Sequence, residues 1–409
     1  MFKKKNPDDN PPNIGDLYAC LQCGYCRSVC PIVPEKGFES SSPRGKVFWL
    51  KQMTDVGIID KLLGREIEPT EEWKKAMYAC TLCSRCETVC HVNIKFHEFW
   101  EEARNWMVRK GYGPPGAAKD MYKYIADPEY RNPFMEKNET RDEWYREDYD
   151  LPEKAEVVFF PGCMSSFYEY SILLNHLKIL TKVGVDFTTL GTDEMCCGMI
   201  NIFTGQPDSF KEIAEYNVTQ LKKREPKIVV SNCPGCVRGL IKYKKFVDYD
   251  FEVLHIIELY ARLIKEGKFE FKKEFKAKNL PIVYHDPCEL GRIRELEDGH
   301  GRYDEPRYIL KSVPGIDEIL EFPLNKYNSV CCGGGGGLKA ADYDLSAQIT
   351  QRKIDEAIDM GAKTIVSACA NCKAQIGVAI EDRKEMWKKD GKKFKMKMMD
   401  IADILAKVV

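Results

Sequence analysis

Residues 228–236 read IVVSNCPGC and residues 364–372 read TIVSACANC, so in each a short strand-type run leads directly into Cys-x2-Cys. Open α/β sheets bury their parallel strands on both faces and place their sites in the loops at the carboxyl ends, which is where these cysteines fall. The likeness extends further. VVFFPGC (157–163) matches IVYHDPC (282–288), and a Cys-Cys-Gly lies between the flanks at 196–198 in one copy and at 331–333 in the other. The first copy thus carries Cys163, Cys196, Cys197, Cys233 and Cys236, and the second carries Cys288, Cys331, Cys332, Cys369 and Cys372, in the same order. An internal repeat of this kind outranks any local reading. Helical patterns such as SILLNHLKILTKV and LSAQITQRKIDEAIDM alternate with the strands and predict two α/β halves with parallel sheets.

The remaining eight of the 18 cysteines lie upstream, as CLQCGYCRSVCP (20–31) and CTLCSRCETVCH (80–91), giving C-x2-C-x2-C-x3-C twice. Large chains with cysteines two residues apart favour metal ligation over disulfides. Zinc knuckles usually pair two separated C-x2-C units, so this spacing points instead to iron-sulfur clusters. Three thiolates on one tight loop hold three irons of a cubane, and the fourth, one turn later, points toward the other cluster. Crossed ligation is expected: Cys20, Cys23, Cys26 and Cys90 for one 4Fe-4S cluster, and Cys80, Cys83, Cys86 and Cys30 for the second. Pro31 follows the first motif as the bacterial pattern expects, whereas His91 replaces the second Pro and reads as a turn residue or a hydrogen-bond donor near its cluster.

In the repeats, neighbouring cysteines such as Cys196 and Cys197 reach different irons more easily than one. Five thiolates on four irons require a bridging ligand, and hence a cluster opened from the cubic form.

Lys and Arg (62) nearly balance Asp and Glu (63), which leaves no field to attract nucleic acid. There is no apolar run long enough to span a membrane, and the start, MFKKKNPDDNPPNIG, lacks the apolar stretch of a secretory signal. A cytoplasmic protein with no direct membrane span is expected, and any peripheral attachment to the inner face of the membrane would have to come through a partner subunit. The fold class expected is mixed: an α-helical ferredoxin domain over 1–110, a connector rich in Pro, Gly, Tyr and Trp over 111–154 that lies against the next domain, and two pseudo-symmetric α/β domains over 155–275 and 276–409.

The upstream module resembles the α-helical ferredoxin of succinate dehydrogenase and heterodisulfide reductase families. The C-x(n)-CCG-x(n)-C-x2-C repeat resembles the CCG domain, and one ferredoxin module before two such domains is most similar to the catalytic D-type subunits of heterodisulfide reductases. That resemblance spans nearly the whole chain. It implies two noncubane 4Fe-4S clusters facing each other beside two cubane ones, with the coenzyme M-coenzyme B heterodisulfide cleaved between the noncubane pair. It also implies an electron-donating partner, a membrane cytochrome b fed by methanophenazine. Related chains have lost cysteines from one copy, and this one has lost none. The alternatives are an iron-sulfur subunit of a flavin-dependent glycolate, lactate or glycerol-3-phosphate dehydrogenase, or a sulfate-reducer membrane-complex subunit acting on a disulfide or trisulfide.

Two leaving thiolates need two protons, so His285, with Asp286 and Glu289, is a candidate donor beside Cys288. A strand-end His bonded to a backbone carbonyl is the plainer reading of His285. Arg238, Arg292, Arg294 and Lys339 are candidates to hold anionic groups of a substrate, although ordinary surface charge explains any one of them. Gly333–Gly337 lacks the Lys-Ser/Thr of a phosphate loop. It reads as inward-turned amides near a cluster or as a flexible turn.

Overall fold

The computed structural model describes residues 11, 14–54, 68–389 and 394–409; most of MFKKKNPDDNPPNIG lies outside them. The chain forms two compact units. One comprises residues 1–119, 201–207 and 333–349, and the other comprises 120–200, 208–332 and 350–409. Among the described residues, no helix is long and apolar enough to cross a membrane.

The first unit is helical. Its longer helices are α1 (Pro43–Thr54), α2 (Glu71–Tyr78) and α3 (Phe96–Arg109). Thr70 caps α2, its side chain accepting the Trp73 amide proton. On α3 the spacing of Phe96, Phe99, Trp100, Ala103 and Met107 makes one apolar stripe, and all five are buried in a core with Leu17, Val47, Leu50, Trp73 and Met77. Arg104 lies on that same stripe, 2% exposed. Its guanidinium donates to the carbonyls of Phe203 (2.6 Å), Gly336 (2.5 Å), Cys80 (2.9 Å) and Tyr78 (3.3 Å), so one side chain joins three stretches of chain. At Gly336, where φ is +61°, a Cβ would lie 2.5 Å from the Thr81 carbonyl carbon. At Gly336 the glycine run thus allows backbone to pack on backbone beside the second cysteine motif.

The second unit holds the repeat. Its strands are β1 (Val157–Phe159), β2 (Phe187–Thr189), β3 (Ile228–Ser231) and β4 (Glu252–His255), then β5 (Ile282–Tyr284), β6 (Ile319–Glu321), β7 (Thr364–Ser367) and β8 (Lys397–Asp400). They form two all-parallel sheets, ordered β2-β1-β3-β4 and β6-β5-β7-β8. The longer helices are α4 (Tyr170–Val183), α5 (Phe210–Lys223), α6 (Pro234–Lys242), α7 (Ile256–Lys265), α8 (Asp304–Ser312), α9 (Tyr343–Asp359), α10 (Ala370–Lys389) and α11 (Ile401–Val408). The fourth strand of each half ends in a capping box: His255 with Glu258 starts α7, and Asp400 with Asp403 starts α11.

The halves pack reciprocally. Helix α4 of the first packs on α11 of the second, while α7 of the first packs on α8 of the second. By position after their strands, α4 matches α8 and α7 matches α11, so the two contacts are related by a pseudo-twofold. Leu173, Leu177, Leu180, Ile257 and Tyr260 share one core with Ile309, Leu310, Ile404, Leu405 and Val408. Tyr145, from the segment preceding β1, is buried in the same core and its hydroxyl lies 2.9 Å from Thr189 Oγ1.

Candidate functional site

In the first unit, Cys20, Cys23, Cys26 and Cys90 line one cavity, and Cys30, Cys80, Cys83 and Cys86 line another. The fourth cysteine of each motif thus stands with the first three of the other. Both tight loops follow one backbone path, with left-handed residues at Gln22 and Gly24 in the first and at Leu82 and Ser84 in the second. Such turns swing successive amides toward the enclosed space, as an anionic cluster requires. Burial pushes the Cys26 thiol up to about 11 and the Cys30 thiol up to about 12, with the other thiols of each group adding to the rise. A bound cation removes that penalty by holding thiolates directly. The two groups differ in access: Cys23 is exposed, whereas Cys83 and Cys86 are buried beside Lys46, whose ammonium donates to the Ala79 carbonyl at 2.6 Å. His91 lines the first cavity and meets Tyr25 edge-to-face at 4.7 Å.

If the ligation is crossed, Cys90→Ser should strip iron from the group at Cys20, Cys23 and Cys26 and spare the group at Cys80, Cys83 and Cys86. Electron paramagnetic resonance of the reduced protein separates the outcomes, since uncrossed ligation would lose the other signal.

In the second unit the chain order turns back between β1 and β3, and Cys163 and Cys233 follow those two strands, at the switch point where open α/β folds place their sites. The first five sulfurs form a continuous hydrogen-bonded set that runs Cys163, Cys196, Cys197, Cys236, Cys233. Hydrogen bonds from Cys196 and Cys236 draw the Cys197 thiol down to about 6. In the second half Cys331 is hydrogen-bonded to Cys332, the Cys372 thiol donates to Cys332 at 3.3 Å, and Cys372 is hydrogen-bonded to Cys369. Cys288 stands at the matching loop after β5, half-buried. All 18 cysteines are among the described residues, and no disulfide joins any of them.

The walls around these sulfurs are fixed by buried polar contacts. Asn217 on α5 donates to the carbonyls of Met195 and Cys196, and the Tyr243 hydroxyl donates to that of Cys197 at 3.0 Å. Glu194, 2.7 Å from Arg141 in a fully buried pair, accepts from the Gly162 amide. Burial raises the Glu194 carboxyl to about 7 against the pull of Arg141. In the second half Thr350 donates to the Cys332 carbonyl, and Ser329 to that of Asp286.

The candidates beyond cysteine separate sharply. Asp286 is held by both terminal nitrogens of Arg307, at 2.7 and 2.8 Å. Glu289 stands 3.7 Å from Arg238. Arg238 is buried and paired with Glu297, Arg292 donates to the carbonyls of Tyr327 and Ser329, and Arg294 is paired with Asp298. These three guanidinium groups are committed inside the fold, and Lys339 follows the glycine run in the first unit. His285 is different. It is 1% exposed, both ring nitrogens lack a hydrogen-bond partner among the described residues, and a ring nitrogen lies within 4.8 Å of Cys332 Sγ and Cys372 Sγ. No described backbone carbonyl holds the ring. Burial pushes its pKa down to about 3, so the imidazole is neutral.

The sequence reading missed Arg104, Arg141, Glu194, Asn217 and Lys353. A lone polar residue on an apolar helical stripe was the available signal for Arg104.

Two cysteine-lined cavities and two five-sulfur sets, built on a helical module and a pair of parallel sheets, define an iron-sulfur oxidoreductase subunit. The 4Fe-4S dicluster domain matches residues 16–94, and the cysteine-rich CCG domain matches residues 157–240 and 282–377. The D-type subunit of dihydromethanophenazine:CoB–CoM heterodisulfide reductase from Methanosarcina barkeri is 34% identical over 91% of this chain and 92% of that one. Its namesake in Methanosarcina mazei is 34% identical over 99% and 98%. The chain belongs to the family of heterodisulfide reductase D-type subunits. A hypothetical protein from Helicobacter pylori shares the fold in its crystal structure, with a TM-score of 0.52 at 10% identity, over 89% of this chain and 67% of that one.

Proposed function

We propose that this chain is the catalytic subunit that reduces the coenzyme M-coenzyme B heterodisulfide to two thiols, taking electrons from a partner subunit, a membrane cytochrome b. The observation that carries this reading is the completeness of both five-cysteine sets, which a plain electron conduit does not need. In this reading residues 1–110 are the relay domain, 111–154 a connector, and 155–275 and 276–409 the two halves of the catalytic site. The eight upstream cysteines hold two cubane 4Fe-4S clusters and the ten downstream hold two noncubane ones.

The reaction adds two electrons and two protons across one S–S bond and releases two thiols. The clusters, when bound, supply the electrons one at a time and give sulfur a soft metal to meet. The protein contributes the rest. The exposed Cys23 loop offers the point of electron entry, and the buried Cys83 loop is shielded from solvent. The backbone anchors at Asn217, Tyr243 and Thr350 hold the Cys-Cys loops rigid, so that substrate meets a preorganised site. Neutral His285, facing Cys332 and Cys372, is the candidate to hold a proton at the second half-site.

Reconstituted protein should bind about sixteen irons per chain, four for each of four clusters. Assayed anaerobically with a reduced viologen, it should consume the heterodisulfide and release both thiols. Iron-replete protein that shows no turnover would overturn the catalytic assignment and leave an electron-transfer role.

A further inference from the structure

The repeat invites a residue-by-residue comparison of its two sites. Phe160 and His285 occupy the same position. Each directly follows the first strand of its half, and each donates its amide to the matching strand, Phe160 to Val230 and His285 to Val366, both at 2.8 Å. Both side chains are buried. At this matched position the first half carries an aromatic hydrocarbon and the second an imidazole.

A second difference lies one layer out. Counting back from the matched strands β3 and β7, Asn217 on α5 corresponds to Lys353 on α9, since each precedes its strand by eleven residues. Asn217 is neutral and fully buried. Lys353 is 3% exposed, and its ammonium sits 3.5 Å from the centre of the Phe322 ring and 3.4 Å from Glu356. Burial lowers its pKa, while the nearby sulfur of Cys332 and the carboxylates of Glu356 and Asp286 favour its charged form. Of the other buried charges, Arg141 is paired with Glu194 in the first site and Arg307 with Asp286 and Glu321 in the second, while Arg292, donating to the carbonyls of Tyr327 and Ser329, adds a further cation near His285. Glu356 faces solvent with 30% of its side chain exposed, so water screens it more than it screens the enclosed ammonium.

We infer that the two five-cysteine sites are electrically unequal, and that the second, with His285 and Lys353 beside it, binds the cluster that accepts an electron at the higher potential. This rests on the cluster reading given above. The physics is direct: adding an electron adds negative charge, and an enclosed cation together with an N–H donor stabilises the product more than a phenyl ring and a carboxamide do. A neutral imidazole always carries one N–H, and among the described residues no other partner competes for it. The electron comes from the reduced donor and is passed on to the disulfide, so the second site parks the first electron while the other awaits the second.

The test is a redox titration of the reconstituted full chain followed by electron paramagnetic resonance, for wild type, Lys353→Met, Lys353→Arg and His285→Phe. Wild type should show two noncubane signals that titrate at separate potentials. Lys353→Met and His285→Phe should each lower the higher one and leave the lower one in place, whereas Lys353→Arg, which keeps the charge, should restore it. In wild type the higher-potential signal should also carry a nitrogen hyperfine coupling that His285→Phe removes. Full iron content with both signals titrating together, or moving equally in Lys353→Met, overturns the inequality alone. Iron near eight per chain, with only the two ferredoxin-type signals, overturns the underlying cluster reading and the inequality with it.

Discussion

Cys331→Ser should reduce disulfide cleavage to the reagent background, a fall of more than about 100-fold, because losing a direct ligand exceeds the 10–100-fold cost of losing an outer partner. Serine keeps the size of cysteine but replaces a soft thiolate with a hydroxyl that binds iron poorly. Cys331 is buried, is hydrogen-bonded to Cys332 and belongs to the sulfur set of the second half, whereas the eight upstream cysteines all lie in the first unit. Both ferredoxin-type resonance signals should therefore survive. If they vanish with the activity, the division of labour between the two sets of cysteines is wrong.

Arg104→Met should be the most damaging change away from any cysteine, costing about 3 kcal/mol. Methionine refills the stem's volume, and removing a charge enclosed in the fold recovers part of its burial cost, since that burial depresses the guanidinium pKa. What is lost is every hydrogen bond the guanidinium makes to the four carbonyls of Tyr78, Cys80, Phe203 and Gly336. Each buried carbonyl left without a donor costs about 1–3 kcal/mol before relaxation, a substantial share of the ~5–15 kcal/mol that holds a domain folded. Denaturant unfolding of the full chain should show the drop. Iron release should be faster from the Cys80 loop than from the Cys20 loop, because Arg104 holds the Cys80 carbonyl. Equal release from both loops would mean that Arg104 stabilises the unit as a whole rather than this loop.

The architecture was legible because cysteine spacing and strand periodicity are local signals. The five-cysteine repeat exposed the two α/β halves, and C-x2-C-x2-C-x3-C exposed the paired loops of the first unit. The partners of the basic residues near the motifs were not legible. Arg238, Arg292 and Arg294 lie near the motifs in sequence, but each is committed to a carboxylate or to backbone carbonyls, and those partners are set by tertiary packing. The close packing at Gly336 was not legible for the same reason, since the backbone it meets, at Thr81, is distant in sequence. His285 was visible as a residue, but only the fold shows that a ring nitrogen lies near the sulfurs of Cys332 and Cys372.

The reciprocal contacts of α4 with α11 and α7 with α8 have the form of an interface between two identical subunits. In a true dimer of that kind every substitution appears twice, and both half-sites must tolerate it. Tying the copies into one polypeptide lifts that constraint, so that a histidine can occupy one position while its counterpart stays phenylalanine. Fusion, on this view, is what allows a twofold scaffold to acquire a direction.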